Sequence, residues 1–229
     1  MRIDKLLSQM KFCTRSEAKQ FLAKHHVAID GTRIISQRED VVPEKSLITI
    51  DGEKLFYKSE IHLMMYKPKG YVSANKDTLH PCSTDLIKEP YHRFDFSIAG
   101  RLDIDAEGLL ILTTSGTLVH EITSPVRHLR KIYEVKLDHP FTHEKDLYEG
   151  VEILDGKNEI YLAKALAIET HEDLVYLTID EGKFHQVKRM FKSVGYEVVN
   201  LKRIQIGNLR LGSLNPGEYI EFIKENLYD

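Results

Sequence analysis

The chain has 229 residues, 29% of them charged and 42% hydrophobic, with a formal net charge of −3; it can bury a real core as one large domain or two unequal ones. No apolar run approaches the ~18 residues of a membrane span, and the alternation of charged and apolar residues at the N-terminus lacks the apolar stretch of a signal peptide. Cys13 and Cys82, the only cysteines, cannot build a disulfide framework or a metal site, so a membrane protein and an exported disulfide scaffold are excluded and a cytoplasmic location is expected.

Residues 1–58 read as a module of their own. They carry 11 Lys and Arg against 8 Asp and Glu, while the remainder of the chain carries 21 against 27. Ile3, Leu6, Leu7 and Met10 recur at helical spacing, predicting a first short helix. Thr14 followed by Glu17 is a capping-box signature, and Ala18, Phe21 and Leu22 form the apolar stripe of a second. Val27-Ala28-Ile29 and Leu47-Ile48-Thr49-Ile50 read as strands, each followed by an Asp-Gly turn, Asp30-Gly31 and Asp51-Gly52. Six bases fall in the first 24 residues, against Asp4 and Glu17 alone. Such a local basic face is what holds a phosphate backbone, although a solvated helix face would read the same way.

A boundary is expected near 56–60, followed by a second domain over 61–229. A strand starts at Ile61. Further strand-like runs cover 71–74, 96–99, 109–113, 131–137, 160–168, 174–179 and 198–206, with helical patterns over 117–122, 143–148 and 185–194. Many strands without βαβ alternation predict an α+β domain built on a mainly antiparallel, mixed sheet.

Three constellations in this domain carry chemistry. Gly100-Arg101-Leu102-Asp103 opens a short polar turn before the apolar run Leu109-Leu110-Ile111-Leu112, a layout that holds a carboxylate and a guanidinium at the edge of a rigid sheet. In Lys131-Ile132-Tyr133-Glu134-Val135, alternation puts Tyr133, Val135 and Leu137 on one sheet face. In the stretch from Glu181 to Phe191, Val187, Met190, Phe191 and Val194 form an apolar helical stripe, and Gly195 follows as a C-cap. Lys183, His185, Lys188, Arg189 and Lys192 are left on or near the other faces.

The N-terminal module resembles the alpha-L RNA-binding domain in its opening Arg2-Ile3-Asp4-Lys5-Leu6, its helix start Thr14-Arg15 and its strand-turn from Val27 to Gly31. The three ordered motifs of the larger domain resemble those of RsuA-type pseudouridine synthases. Its His185-Gln186-Val187-Lys188-Arg189-Met190-Phe191 and His120-Glu121-Ile122-Thr123-Ser124-Pro125 are similar to the branch that acts on small-subunit ribosomal RNA. The resemblance covers essentially the whole chain. It implies isomerisation of uridine to pseudouridine in 16S-type ribosomal RNA, free or in an assembling particle, by a cytoplasmic monomer.

That reaction has no net redox change or group transfer and needs no cofactor, and the sequence has no dinucleotide fingerprint, phosphate loop or Cys/His metal cluster. By the resemblance, Asp103 stands at the catalytic carboxylate position and Lys188 at that of its basic partner, with Lys183 and Arg189 as the alternatives for that partner. Tyr133 matches the aromatic residue that stacks on the target base, and Arg101 the arginine that enters the space left by the extruded nucleotide. Lys183, His185, Gln186 and Arg189 are expected on the RNA, with Arg2, Lys5, Arg15 and Lys19 of the first module.

Plainer readings stand beside these. Asp103 alone would read as a turn residue, Tyr133 as a cross-strand residue and His185 as a helix-start hydrogen-bonder. Asp103, Asp105 and Glu107 could suggest the metal loop of a hydrolase but lack calcium-hand spacing; Asp105 and Glu107 read as solvated. The rivals for function are the same chemistry on large-subunit (23S) ribosomal RNA and a non-catalytic RNA-binding or ribosome-assembly factor.

Overall fold

The computed structural model describes residues 1–124 and 127–228; Pro125, at the end of the His120 motif, lies outside them. The chain forms two compact units, one of Met1–Ser59 with Lys88–Asp95, the other of Glu60–Ile87 with Phe96–Asp229. Among the described residues no helix is long and apolar enough to cross a membrane.

In the first unit, helices α1 (Ile3–Gln9) and α2 (Ala18–Lys24) precede strands β1 (Val27–Ile29), β2 (Thr32–Arg33), β3 (Ile48–Ile50) and β4 (Glu53–Lys54). The strands make an antiparallel sheet in the order β2-β1-β3-β4. Both Asp-Gly pairs turn hairpins with positive φ at each residue, 51° and 83° at Asp30-Gly31 and 52° and 88° at Asp51-Gly52. That conformation is the reason for the residue types. Ile3, Leu6, Leu7, Ala18, Leu22 and Val27 are buried in the core. Thr14 and Glu17 do bond, the Thr14 amide donating to the Glu17 carboxylate at 2.9 Å, but residues 15–17 form a turn and α2 begins at Ala18.

The segment 88–95, which the sequence reading leaves in the larger domain, packs with the first unit. Tyr91 meets Phe56 edge-on at 5.3 Å and Arg93 lies over the Phe12 ring at 4.4 Å. Residue spacing does not reveal such an excursion, because its aromatic contacts are far apart in sequence.

The second unit is built on a nine-stranded sheet. Its strands are β5 (His62–Lys67), β6 (Ser97–Ala99), β7 (Glu107–Thr113), β8 (Lys131–Leu137), β11 (Ala167–His171), β12 (Leu174–Ile179), β13 (Val198–Ile206), β14 (Leu209–Arg210) and β15 (Tyr219–Glu221). The central order is β11-β12-β8-β13-β7-β5-β15. Every pairing is antiparallel except that of β13 with β7. A separate hairpin, β9 (Val151–Leu154) with β10 (Ile160–Ala163), and helices α3 (Gly116–Thr123), α4 (Glu144–Glu149) and α5 (Gln186–Ser193) complete the unit. The α5 stripe, Val187, Met190 and Phe191, is buried in one core cluster with Tyr133 and Val135 of β8 and Leu177 of β12.

Two expected strands differ. The run 160–168 divides into β10 and β11. The run 71–74 forms no strand but an isolated bridge at Val72, because its backbone and Ser73 hold the neighbouring loops instead.

Gly108 shows how tightly β13 and β7 approach. Its φ is +107° and an added Cβ would stand 2.2 Å from the Arg203 carbonyl oxygen, whereas Gly116 faces open space. Gly108→Ala is therefore expected to destabilise the second unit by at least about 2 kcal/mol, with Gly116→Ala neutral or stabilising by up to about 1 kcal/mol. Thermal melting of the two variants checks this; equal melting points would contradict it.

Candidate active site

The turn that carries Asp103 is clamped residue by residue. The Arg203 guanidinium donates to the Gly100 carbonyl at 2.6 Å and to the Leu109 carbonyl at 2.8 Å. Ser73 uses its hydroxyl twice, donating to the Leu102 carbonyl at 2.8 Å and accepting from the Leu102 amide at 3.0 Å. The Gly70 amide donates to the Ile104 carbonyl at 2.8 Å, and the Ala106 amide to the Asp103 carbonyl at 3.2 Å. Bonds thus fall on both sides of Asp103, which fixes where its side chain starts.

That side chain meets two groups from the start of α5. Lys188 Nζ lies 3.2 Å from Oδ2 and His185 Nε2 3.4 Å from Oδ1. His185 caps α5 in the left-handed region at φ 53°, where a non-glycine side chain is uncommon, and its ring stacks on Phe184 at 3.8 Å. Lys188 also donates to Asp105 Oδ1 at 2.6 Å. Burial alone would lower the Lys188 pKa, but its hydrogen bonds to Asp105 and Asp103 and their charges outweigh it and hold the ammonium above its ordinary value.

Asp103, Tyr133, His185 and Lys188 line one cavity of about 960 Å³, with Arg101 and Lys183 also on its wall, a volume within the range of small-ligand sites. Tyr133 is 6% exposed and its hydroxyl lies 3.5 Å from Arg203 Nη1. Arg101 is exposed. Lys183 is exposed too, and its ammonium rests 3.5 Å from the Tyr161 ring centre.

Other expected RNA contacts are engaged inside the fold. Gln186 is buried, accepting the Lys183 amide at 3.0 Å and donating to Glu181 at 3.2 Å, so it brackets the turn into α5. Arg189 donates to the carbonyls of Leu154 and Asp155, tying α5 to the tip of the β9–β10 hairpin. In the first unit Arg2 and Arg15 pair with Asp4, at 2.6 and 3.6 Å, while Lys5 and Lys19 are exposed.

Asp105 and Glu107 are not merely solvated. Asp105 pairs with Lys188, and Glu107 accepts from the Tyr66 hydroxyl at 2.9 Å and from Asn200 at 3.2 Å. An ammonium, not a set of converging carboxylates, organises this loop. Among the described residues no group of three or more His, Cys, Asp or Glu side chains could hold a metal ion.

Sequence reasoning missed Arg203 and treated Lys131 only as part of a motif. Both line the cavity, 2% and 7% exposed. A signal was present: Lys131 shares the β8 face of Tyr133 and Val135, and Arg203 the inward phase of Leu201. A cation on a core-facing strand position is rare without a purpose.

A family model described as RNA pseudouridylate synthase matches residues 61–193, and one described as S4 domain matches residues 1–41. The uncharacterized RNA pseudouridine synthase YtzG of Bacillus subtilis (strain 168) is 41% identical, over 100% of this chain and 97% of its own. Ribosomal small subunit pseudouridine synthase A of Escherichia coli (strain K12) is 36% identical, over 99% of this chain and 98% of its own. A solved structure titled as a crystal structure of pseudouridylate synthase shares 34% identity, covers 99% of this chain and 98% of its own, and superposes with a TM-score of 0.66.

The Asp105–Lys188 pair sets a pH dependence. Burial raises the Asp105 pKa, but the hydrogen bond from Lys188 and its charge outweigh that and hold it below its ordinary value. The pair's stabilisation is present above the unfolded carboxyl pKa, 3.8, and is lost as pH falls through the folded value. With Asp105 68% exposed, its worth is below about 1 kcal/mol. Asp105→Asn should melt slightly lower than wild type at pH 7, with the gap closing as the pH falls well below 3.8. A gap that persists in acid would contradict the assignment.

Proposed function

This chain belongs to the RNA pseudouridylate synthase family, in its RsuA-type branch with an N-terminal S4 domain, and we propose that it isomerises a specific uridine of small-subunit (16S) ribosomal RNA in the cytoplasm, with Asp103 as the catalytic carboxylate and no cofactor. The observation that supports this reading most is the convergence of Asp103, Tyr133 and Lys188, from a turn, a strand and a helix, on one cavity, with Lys188 against Asp103. The names of the RsuA relatives, "Ribosomal small subunit pseudouridine synthase A", support the choice of RNA.

The chemistry is an isomerisation. The bond from N1 of uracil to C1′ of ribose breaks, the base turns, and C5 bonds to the same sugar carbon; C5 loses a proton and N1 gains one. A carboxylate can serve by adding to C1′, by adding to the ring, or by taking the C2′ proton to give a glycal. Asp103 stands ready for each, with Lys188 as its counter-charge. Extruding the nucleotide from its stack costs a few kcal/mol. Stacking of the base on Tyr133 offsets about 1–3 kcal/mol of that, and Arg101 at the cavity wall occupies the space left in the RNA. The exposed Lys5 and Lys19 of the S4 domain, with Arg2 and Arg15 beside them on Asp4, contact the phosphate backbone, and Lys183 and His185 contact the substrate beside the cavity.

The substrate is tested by mapping pseudouridine in both ribosomal RNAs from cells lacking this protein and from cells complemented with wild type or Asp103→Asn. One 16S position should lose its pseudouridine, regain it with wild type and not with the variant, which still folds and binds RNA. A loss confined to 23S RNA would reassign the substrate. Restoration by Asp103→Asn would refute the role of the carboxylate, and unchanged maps in every strain would favour a non-catalytic factor.

A further inference from the structure

Two cations in this cavity have no part in the chemistry so far. Lys131, at the start of β8, is 7% exposed, and Arg203, in β13, is 2% exposed. Buried charges are normally paired with an opposite charge, since leaving water is costly. Here both are held by main-chain carbonyls instead. Lys131 Nζ donates to the carbonyls of Leu129 at 2.8 Å and Asp180 at 3.1 Å. Arg203 donates to those of Leu109 and Gly100. Carbonyl oxygens satisfy the donors and fix the side chains in place, and among the described residues neither cation makes a salt bridge. Both cations line the cavity together with Asp103 and Tyr133.

We propose that Lys131 and Arg203 form a fixed cationic floor that stabilises the negative charge appearing on the uracil ring when the target nucleoside is opened. The inference rests on the pseudouridine-synthase reading and holds for each route open to Asp103. If the C1′–N1 bond breaks by attack on C1′ or by loss of the C2′ proton, the electron pair of that bond goes to N1 and spreads over O2 and O4. If Asp103 adds to the ring, the displaced pair goes to a carbonyl oxygen. In every case the pair returns as the bond from C5 to C1′ forms and the C5 proton leaves, so no oxidant or reductant is needed. Charges held rigidly where charge develops lower a barrier without reorganisation at the moment of reaction.

The charged groups acting on Lys131 are Arg203 from β13 and Asp180 and Glu181 after β12, and the Asp180 carboxylate in turn pairs with His128 at 2.7 Å. Burial, with the charge of Arg203, brings the Lys131 pKa down to about 8, while Asp180 and Glu181 act to raise it. The charged form is the stabilising one, so its contribution is present below pH 8 and lost as pH rises through it.

The test is the single-turnover rate of pseudouridine formation on the ribosomal RNA substrate, measured from pH 6 to 9.5 with Lys131→Met and Lys131→Arg beside wild type, and with RNA affinity and melting recorded for each. Lys131→Met should lower the rate about 100-fold with affinity within about threefold, a split that loss of binding would not give. Lys131→Arg should stay within about tenfold of wild type. Wild type should lose rate above pH ~8, and Lys131→Arg, with a guanidinium that stays charged, should not. A wild-type rate for Lys131→Met, or an alkaline fall unmoved in Lys131→Arg, overturns the floor; the second criterion holds even if Lys131→Met fails to fold. A wild-type protein that makes no pseudouridine on any ribosomal RNA overturns the reading beneath it.

Discussion

On the proposed reading Asp103 acts as an anion inside a half-closed cavity, which calls for a cation held beside it, and the contact of Lys188 with Asp103 supplies one. At 3.2 Å, with side chains 24% and 28% exposed, the pair is shielded enough for its attraction to matter and open enough to admit a nucleotide. Everything around it serves to hold the two ends. The stripe of Val187, Met190 and Phe191 buries α5 in the core and so fixes Lys188 at one end. The bonds to Gly100, Leu102 and Ile104 fix the turn at the other. Asp105 shares the ammonium and makes the shorter contact, 2.6 Å, so it aims Lys188 as much as Asp103 does.

The same turn explains the glycines and the buried arginine. Gly108 lets β7 come against β13 where a methyl group has no room, and this approach brings Arg203 within reach of the Gly100 and Leu109 carbonyls. A parallel pairing inside an otherwise antiparallel sheet is the local cause. Arg203 thus ties the turn of Asp103 to the strand next to Tyr133, and the cavity takes its shape from the meeting of β7, β13 and β8.

Much of this was legible from residue types. The bounds of β8, Lys131–Leu137, follow from alternation alone, and the Asp-Gly pairs marked hairpins because few other residues adopt positive φ twice in succession. The family motifs mark Asp103, Tyr133 and Lys188 across distant stretches, and all three line one cavity. What stayed hidden depends on partners far away in sequence. The run 71–74 looks like a strand, but its polar groups are used by Lys67, Ser83 and Leu102. Gln186 and Arg189 look like RNA contacts, but they brace the fold because Glu181 and the tip of the β9–β10 hairpin lie beside them. Asp105 looks like a loop acid until the reach of Lys188 is known.

The division of labour that follows is between a rigid site and a broader RNA surface. On the proposed reading, chemistry belongs to the cavity and contact with the RNA to exposed cations such as Lys5, Lys19 and Arg101. The central claim is that the charge of Lys188, rather than its bulk, makes Asp103 competent. It is tested most directly by single-turnover pseudouridine formation with saturating purified Lys188→Met and Lys188→Arg on the same RNA. The account predicts a loss of about 100-fold or more for Lys188→Met and retention within about tenfold for Lys188→Arg. A Lys188→Met protein that reacts at the wild-type rate would contradict it.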